Sequence, residues 1–209
     1  MIESPPPQPP CLKEFEHVNR YWDRIHQTWA AKILPGEYYV TPHPHEVIAT
    51  TLGSCVSACI RDKELGIGGM NHFMLPLKSE HSTDDWMGMA TRYGSFAMEH
   101  LINDILKLGG NRNNLEVKLT GGGRIMANMC DVGAQNIKFV LAYLQTENID
   151  VVIQDLGDIY PRKVLYWPTT GRLRVMRLKT LHNNTVVERE ESYLHELVVQ
   201  PDSGSVELF

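Results

Sequence analysis

The chain has 209 residues, of which 43% are hydrophobic and 22% are charged, a composition typical of one globular domain with a buried core. Its formal net charge of -5 argues against a nucleic-acid-binding protein, which usually carries a basic surface. No apolar run approaches the ~20 residues that span a bilayer, and the first ten residues, MIESPPPQPP, lack the features of a secretory signal. We therefore expect a cytoplasmic protein without direct membrane insertion, whose cysteines are free thiols.

The first 34 residues are predicted to lie outside the main domain. Residues 1–14 form a proline-rich leader that we expect to be disordered, because proline removes a backbone donor and interrupts helices. Residues 15–34 are predicted as a helical extension, because apolar side chains recur there at three- and four-residue steps and would form one stripe. These side chains are Phe15, Val18, Tyr21, Trp22, Ile25 and Trp29.

The main domain, residues 35–180, is predicted to combine strands with two main helices. Segments rich in β-branched and aromatic residues predict strands at Glu37–Val40, Glu46–Leu52, Val56–Arg61, Gly66–Pro76, Leu115–Thr120, Ile149–Leu156, Lys163–Trp167 and Arg172–Leu178. Helices are expected over Met89–Leu108 and from Asp131, a suitable N-cap, to about Glu147. This pattern favours an α/β or α+β sandwich of mixed or antiparallel sheet. Residues 181–209 form a polar, acidic tail whose contacts the sequence does not decide.

One predicted hairpin places a thiol beside an imidazole. If Asp62–Leu65 is the loop, Arg61 faces Gly66, and the same register sets Cys55 opposite His72. Directly opposed residues point to the same side of a sheet. An imidazole that accepts the thiol proton produces the thiolate that attacks carbonyl carbons. The bland alternative is a buried cysteine beside a histidine that only has a structural role.

Residues around the cysteine could complete such a site. Gly53 allows a sharp turn, and backbone N–H groups near Ser54 could point at a developing oxyanion. A third group should orient the imidazole, and we expect a hydroxyl from Thr50 or Thr51. Neighbouring strand residues alternate sides, so the residue before the histidine is not a candidate.

Two other motifs are less informative. His43 and His45 could join Cys55 and His72 in a zinc site, but the prolines of that loop splay the two histidines and a fourth ligand is not evident. Gly121–Gly123 follows a predicted strand yet lacks the ending of a phosphate-binding loop, so we predict a tight turn beneath the active site. The sequence therefore predicts no metal and no cofactor.

The motifs TLGSCV at 51–56 and GGMNHFMLP at 68–76 resemble the signature of the chemoreceptor glutamine deamidases called CheD. The resemblance covers roughly residues 33–178 and implies a three-layer sandwich with Cys55 as nucleophile, His72 as base and a threonine as third catalytic residue. In some members that threonine stands six positions before the cysteine, where this chain has Ala49, so Thr50 and Thr51 both stay open.

The resemblance implies an enzyme that hydrolyses particular glutamine side chains of methyl-accepting chemotaxis receptors to glutamate, with release of ammonia, through a cysteine thioester. It also implies a candidate partner, the phosphatase CheC. Two alternatives remain. Another Cys–His amide hydrolase, such as a peptidase or a transglutaminase-like enzyme, would give a different product. A non-enzymatic adaptor would keep its function without the cysteine.

Overall fold

The computed structural model describes residues 5–76, 86–125, 132–179 and 185–199. In this part of the chain, ten strands and three α-helices form an α+β fold, which confirms the predicted fold class. The strands are β1 (Asn19–Asp23), β2 (Thr28–Lys32), β3 (Tyr38–Thr41), β4 (Glu46–Leu52), β5 (Val56–Asp62), β6 (Gly68–Asn71), β7 (Leu115–Gly121), β8 (Val151–Leu156), β9 (Arg162–Trp167) and β10 (Arg172–Arg177). The helices are α1 (Trp86–Lys107), α2 (Val132–Thr146) and α3 (Thr185–Val199).

The strands form two mixed sheets of five strands each. The first sheet has the order β1-β2-β4-β9-β10, and the second has the order β3-β6-β5-β7-β8. Strand β5 is buried on both faces, as expected for a strand in the middle layer of a sandwich. Helices α1 and α2 pack against the second sheet, and one apolar core includes side chains from both sheets and from these helices.

Most of the predicted strands and helices of the main domain are confirmed, but the strand predicted over Gly66–Pro76 is much shorter in the structure, where β6 is Gly68–Asn71. Strand β4 has the predicted bounds, and β3, β5, β7, β8, β9 and β10 differ from the predictions by one or two residues at their ends. Helix α1 begins three residues earlier than predicted, and the proposed cap of α2, Asp131, lies outside the described residues. The domain boundaries at 35 and 180 stay a prediction.

The helix predicted over residues 15–34 is wrong. These residues form a short 3-10 turn at Lys13–Phe15 and then the hairpin β1–β2, whose second strand pairs in parallel with β4. The predicted stripe does not face a core as a unit, because Phe15 and Val18 are buried whereas Tyr21 is 40% and Ile25 is 87% exposed. Instead, Trp22 and Trp29 are directly opposed cross-strand partners with ring centroids 5.8 Å apart.

The residues ahead of β1 lie along the first sheet. Residues 5–12 have no regular secondary structure, yet the carbonyl oxygen of Pro6 accepts a hydrogen bond from the Trp29 indole at 3.1 Å. Arg20 donates to the carbonyl of Pro9, and Phe15 is buried against Tyr38 and Tyr39. The prediction of disorder for residues 1–4 lies outside the described residues.

The hairpin that contributes the imidazole has a different register from the predicted one. Arg61 pairs with Gly68 rather than with Gly66, and Val56 bridges to Phe73, a shift of two residues. The reason is that the loop lies one residue later than predicted: the N–H of Asp62 donates to the carbonyl of Ile67 at 2.8 Å, which leaves residues 63–66 as the loop. The Asp62 carboxylate accepts hydrogen bonds from the N–H groups of Glu64 and Leu65 within it. Because an even shift preserves the alternation of faces, His72 stays on the predicted side of the sheet.

The predicted C-terminal tail contains a helix, α3, which was not predicted from the sequence. Three of its residues, Val187, Tyr193 and Leu194, contact the main apolar core, and Leu194 is only 4% exposed. Within the described residues, no helix combines the length and apolarity needed to cross a bilayer.

Candidate functional site

The turn Gly53–Cys55 connects β4 to β5, and its carbonyl oxygens all point away from the site. The carbonyl of Gly53 accepts from the N–H of Gly123 at 2.8 Å, and that of Cys55 accepts from the N–H of Gly122 at 2.7 Å. The carbonyl of Ser54 accepts from the side-chain amide of Asn136 on α2 at 3.0 Å. With its acceptors bound on one side, the turn presents its N–H groups on the other.

The glycine loop after β7, Gly121–Gly123, can approach the Cys55 turn closely enough to bind its carbonyl oxygens. The backbone of Gly121 has φ +116° and that of Gly122 has φ +69°, conformations that L side chains rarely adopt. A Cβ atom on Gly121 would lie 2.2 Å from the carbonyl oxygen of Cys55. The predicted tight turn beneath the site is therefore confirmed, and its close approach to the Cys55 turn requires glycine.

The histidine is fixed through its backbone and its ring. The N–H of His72 donates to the carbonyl of Glu37 at 2.9 Å, and the carbonyl of His72 accepts from the N–H of Gly36 at 2.8 Å. Its Nδ1 lies 2.8 Å from Oγ1 of Thr50 on β4, and the residue is only 2% exposed. The imidazole is thus held between the two sheets.

The hydrogen bonds of Thr50 determine which ring nitrogen of His72 carries the proton. The hydroxyl of Thr50 donates its single hydrogen to the carbonyl of Ile33 at 2.8 Å. Thr50 Oγ1 can therefore only accept from the ring, so the proton of neutral His72 sits on Nδ1. The other nitrogen, Nε2, is left with a free lone pair, is buried, and has no hydrogen-bond partner among the described residues.

The two candidate threonines differ in position. Thr50 is 4% exposed and contacts the imidazole, whereas Thr51 is partly exposed on the opposite face of β4. Thr51 pairs across the first sheet with Lys163. The structure brings Thr50, Cys55 and His72 together and leaves Thr51 apart from them.

The N–H groups of the Cys55 turn hold a carboxylate from α3. Oε1 of Glu190 accepts from the N–H groups of Gly53 at 2.8 Å and Cys55 at 3.3 Å. Oε2 accepts from the N–H of Ser54 at 2.8 Å and from its hydroxyl at 2.6 Å. Glu190 is 1% exposed, so these four neutral donors supply the hydrogen bonds that its buried charge needs.

The thiol, the imidazole and the carboxylate form one buried cluster. The sulfur of Cys55, a ring nitrogen of His72 and an oxygen of Glu190 all lie within 4.8 Å of one another. Burial, and secondly the charge of Glu190, raise the pKa of the Cys55 thiol well above its usual value. Burial, and secondly the charge of Arg189, lower the pKa of His72 to about 3. At neutral pH the pair is therefore an uncharged thiol beside an uncharged imidazole.

The cluster also has the residue types of a three-ligand metal site. Both oxygens of Glu190 are already directed at backbone and hydroxyl hydrogens, which is the geometry of an anion held by donors rather than of a metal ligand. Neither His43 nor His45, the histidines considered in the sequence, belongs to this cluster.

Two residues of this arrangement were not assigned a role from the sequence. Asn136 holds both Ser54 and the N–H of Leu75, and so connects α2 to the two segments that carry the thiol and the imidazole. Glu190 lies in the segment predicted as a polar, acidic tail. The available signal was an acidic residue inside an apolar stripe at helical spacing, between Val187 and Leu194.

Comparison with known proteins gives a consistent result. The family model described as CheD chemotactic sensory transduction matches residues 74–177. A Halorhodospira halophila protein named probable chemoreceptor glutamine deamidase CheD is 57% identical over 204 residues, which cover 96% of this chain and 94% of that protein.

Relatives from other bacteria carry the same name. The protein from Hahella chejuensis is 50% identical over 207 residues, covering 99% of this chain and 98% of the relative. The protein from Methylobacillus flagellatus is 53% identical over 200 residues, covering 95% of this chain and 98% of the relative. These alignments include the Cys55 turn, the His72 strand and most of the C-terminal segment.

Proposed function

Because the chain belongs to the CheD family of chemoreceptor glutamine deamidases, we propose that it hydrolyses glutamine side chains of methyl-accepting chemotaxis receptors to glutamate. One observation carries this proposal: the thiol of Cys55 lies within 4.8 Å of an imidazole nitrogen of His72 and of the carboxylate that the N–H groups of its turn bind. Nε2 of that imidazole keeps a free lone pair. A thiol, a base and an anion site at one point are the requirements of acyl transfer from an amide.

In the first half of the proposed reaction, Nε2 of His72 accepts the thiol proton and the Cys55 sulfur attacks the carboxamide carbon of the glutamine. The N–H groups of Gly53, Ser54 and Cys55 hold the oxyanion that forms. The imidazolium then gives its proton to the amide nitrogen, the C–N bond breaks, and ammonia leaves. A thioester between the glutamine side chain and Cys55 remains.

In the second half, water attacks the thioester after His72 accepts one of its protons. The C–S bond breaks, the sulfur takes the proton back, and the product is a glutamate side chain. Thr50 acts as a positioning residue, because its hydroxyl keeps the His72 proton on Nδ1 and leaves the lone pair of Nε2 free to accept the thiol proton. The net reaction consumes one water and releases one ammonia, and no metal or cofactor takes part.

The test is peptide mass spectrometry on a purified receptor cytoplasmic domain after incubation with the protein. Wild type should convert defined glutamines to glutamates, and Cys55→Ala should convert none. Cys59→Ala is the matched control, because Cys59 is an equally buried thiol on β5 outside the cluster. Conversion that persists with Cys55→Ala would overturn the mechanism, and chain cleavage or cross-linking would indicate a different amide hydrolase.

The proposal includes a cellular setting. We place the reaction in the cytoplasm, where thiols such as Cys55 stay reduced. The phosphatase CheC, implied by the family resemblance, is proposed as a second partner. Co-elution of the two purified proteins on a sizing column would support that partnership, and separate elution at micromolar concentration would exclude a stable complex.

A further inference from the structure

Helix α3 places one acidic side chain in the site and leaves the others in solvent. Glu188, Glu191 and Glu196 are exposed, while Glu190 is 1% exposed and lies on the same helical face as Tyr193 and Leu194. A buried carboxylate is costly unless donors surround it, so its position is not a default outcome of helix packing. Glu190 enters the site because it shares a helical face with Tyr193 and Leu194, which pack against the core.

The donors that hold Glu190 are the ones that the proposed reaction assigns to its oxyanion. Its two oxygens accept from all three N–H groups of the Gly53–Cys55 turn, and one of them lies within 4.8 Å of the nucleophilic sulfur. The deamidation product is also a glutamate side chain in contact with that turn. Glu190 therefore occupies the site as a bound product would.

Two glycines leave room for side chains of α3 where the helix packs on the domain. A Cβ atom on Gly53 would lie 2.7 Å from Oε2 of Glu190 and 2.2 Å from Cδ1 of Ile125, so the glycine leaves room for the carboxylate where it is held. A Cβ atom on Gly36, beside the His72 backbone, would lie 2.6 Å from the hydroxyl of Tyr193. The same hydroxyl makes a hydrogen bond to Tyr93 on α1. Polar and steric fit thus extend along one face of the helix.

We propose that α3 is an internal product analogue, whose Glu190 fills the pocket for the reacting side chain and keeps the enzyme closed until α3 leaves. The term product rests on the proposed function, whereas the blocking of Cys55 by α3 does not. A receptor segment that carries a glutamine must then displace α3, and its glutamine takes the position of Glu190.

The first test measures how fast iodoacetamide alkylates Cys55, by site-resolved peptide mass spectrometry on the full chain. Glu190→Ala removes the carboxylate, and Leu194→Ala keeps the carboxylate but removes the apolar anchor. Each should accelerate alkylation of Cys55 by at least roughly tenfold, since each removes a contact that holds α3 in place. Glu191→Ala, on the exposed face of the same helix, should alkylate at the wild-type rate.

Cys59 serves as the internal control for folding, because this thiol is fully buried in β5. Acceleration at Cys55 with Cys59 still protected supports departure of α3. Equal acceleration at both cysteines in the Glu190→Ala and Leu194→Ala variants would indicate general unfolding, and unchanged rates at Cys55 would show that α3 does not block it. Either of these results overturns the proposal.

The second test asks whether Cys55 deamidates a glutamine introduced at position 190 of α3. In Glu190→Gln, Cys55 should attack the carboxamide of the introduced glutamine, release ammonia and leave glutamate after hydrolysis, so the peptide should regain the wild-type mass. The double variant Glu190→Gln with Cys55→Ala should keep its glutamine. Self-conversion supports the proposal.

The failures of the two proposals are distinguishable. If the protein deamidates a receptor but the Glu190→Gln variant never converts its introduced glutamine, α3 does not occupy the substrate position and the product-analogue proposal is wrong. If neither a receptor glutamine nor the introduced one is converted, the proposed function fails. The alkylation rates of Cys55 then still decide whether α3 closes the site.

Discussion

At the scale of single residues, the chemistry of the site depends on a proton that a threonine keeps in place. Thr50 donates to the carbonyl of Ile33, so it can only accept from Nδ1 of His72, and the lone pair of Nε2 stays available as a proton acceptor. An isolated serine or threonine could donate or accept in either direction. Here the backbone of the first sheet fixes the direction.

Replacing this hydroxyl should impair the reaction without removing a reacting group. Thr50→Val preserves the shape of the side chain but loses both hydrogen bonds, so the imidazole can reorient. We expect kcat for receptor deamidation to fall on the order of a hundredfold with little change in KM, as for other misplaced catalytic groups. Thr50→Ser should restore most of the rate.

The matched control for this prediction is Thr51→Val, one residue along the same strand and on its opposite face. It should keep the wild-type kcat. An equal loss of rate in Thr50→Val and Thr51→Val would contradict the assignment of Thr50 as the positioning residue.

The buried imidazole should also make folding sensitive to acid. The folded pKa of His72 is about 3, below the value of about 6.5 for an unfolded histidine, so between these pH values the unfolded chain binds more protons. The contribution of His72 to stability is therefore fully present above about pH 6.5 and is lost as the pH falls. Between about pH 7 and about pH 5 we expect a loss of about 2 kcal/mol.

This loss is measured by urea unfolding of wild type and His72→Gln at both pH values. The variant lacks the titrating group, so its free energy of unfolding should depend less on pH by that amount. Identical pH dependence in the two proteins would show that folding does not lower the pKa of His72.

The residues of the site differ in how far the sequence could predict them. Cys55 and His72 fall on one hairpin, and a local register argument places them on the same side of the sheet, although the predicted direct pairing of the two residues is wrong by two positions. The choice between Thr50 and Thr51 depends on which face of β4 meets the other sheet, a long-range fact. Glu190 is 135 residues away from Cys55 along the chain, and no local pattern reports so distant a contact.

At the scale of secondary-structure elements, side chains that bind the backbone in turns help to determine where strands begin and how they pair. The Asp62 carboxylate binds N–H groups of the loop between β5 and β6, and this loop lies one residue later than predicted, which moves the register by two residues. Asp23 does the same after β1, where it accepts from the N–H groups of Ile25 and His26. Spacing alone does not report such turns, which is why residues 15–34 fit a helical pattern equally well.

An ion pair joins the N-terminal hairpin to the sandwich. Glu46 at the start of β4 is fully buried and accepts from Arg20 on β1, from Tyr39 and from Thr41. The side chain of Arg20 is itself 8% exposed. A buried charge that loses its partner is strongly unfavourable, so the hairpin should depend on this carboxylate.

Glu46→Gln removes the negative charge while keeping the volume. We expect the free energy of unfolding to fall by about 3–5 kcal/mol, because Arg20 is left buried without its counter-charge. Glu147→Gln is the matched control at an exposed pair with Arg112, and it should cost no more than about 1 kcal/mol. Urea unfolding measures both variants, and equal losses would contradict the special role of Glu46.

At the scale of the whole molecule, the sandwich and α3 are held by different means. The two sheets and α1 share one apolar core, whereas α3 adds to it only a few side chains and the carboxylate of Glu190. Segments with few buried apolar contacts open at lower free energy than the core. The nucleophile is thus built into the most stable part of the protein and covered by one of the least stable.

Hydrogen exchange followed by mass spectrometry should resolve this difference. Backbone amides of α3 should exchange faster than those of β4 and β5 in wild type, and Glu190→Ala should accelerate α3 further while leaving β4 and β5 unchanged. Glu191→Ala should resemble wild type. Exchange in α3 as slow as in β5 would show that the helix is an integral part of the core.

The overall architecture could be predicted from the sequence, but the contacts between distant segments could not. Strand and helix periodicity indicates an α+β sandwich, and two motifs point to its family. The parallel pairing of β2 with β4 and the return of α3 to the site join segments that are far apart along the chain. Such contacts follow from the free energy of the complete fold rather than from any one segment.

The location of Glu190 on the same chain as the pocket it fills has a consequence for competition. A covalently linked ligand has an effective concentration on the order of mM, and diluting the protein does not lower it. A single freely diffusing target would compete poorly with Glu190 for the pocket. Targets crowded together at high local density would compete on equal terms, so the degree of clustering of the target, rather than its total amount, would set how often the thiol is free.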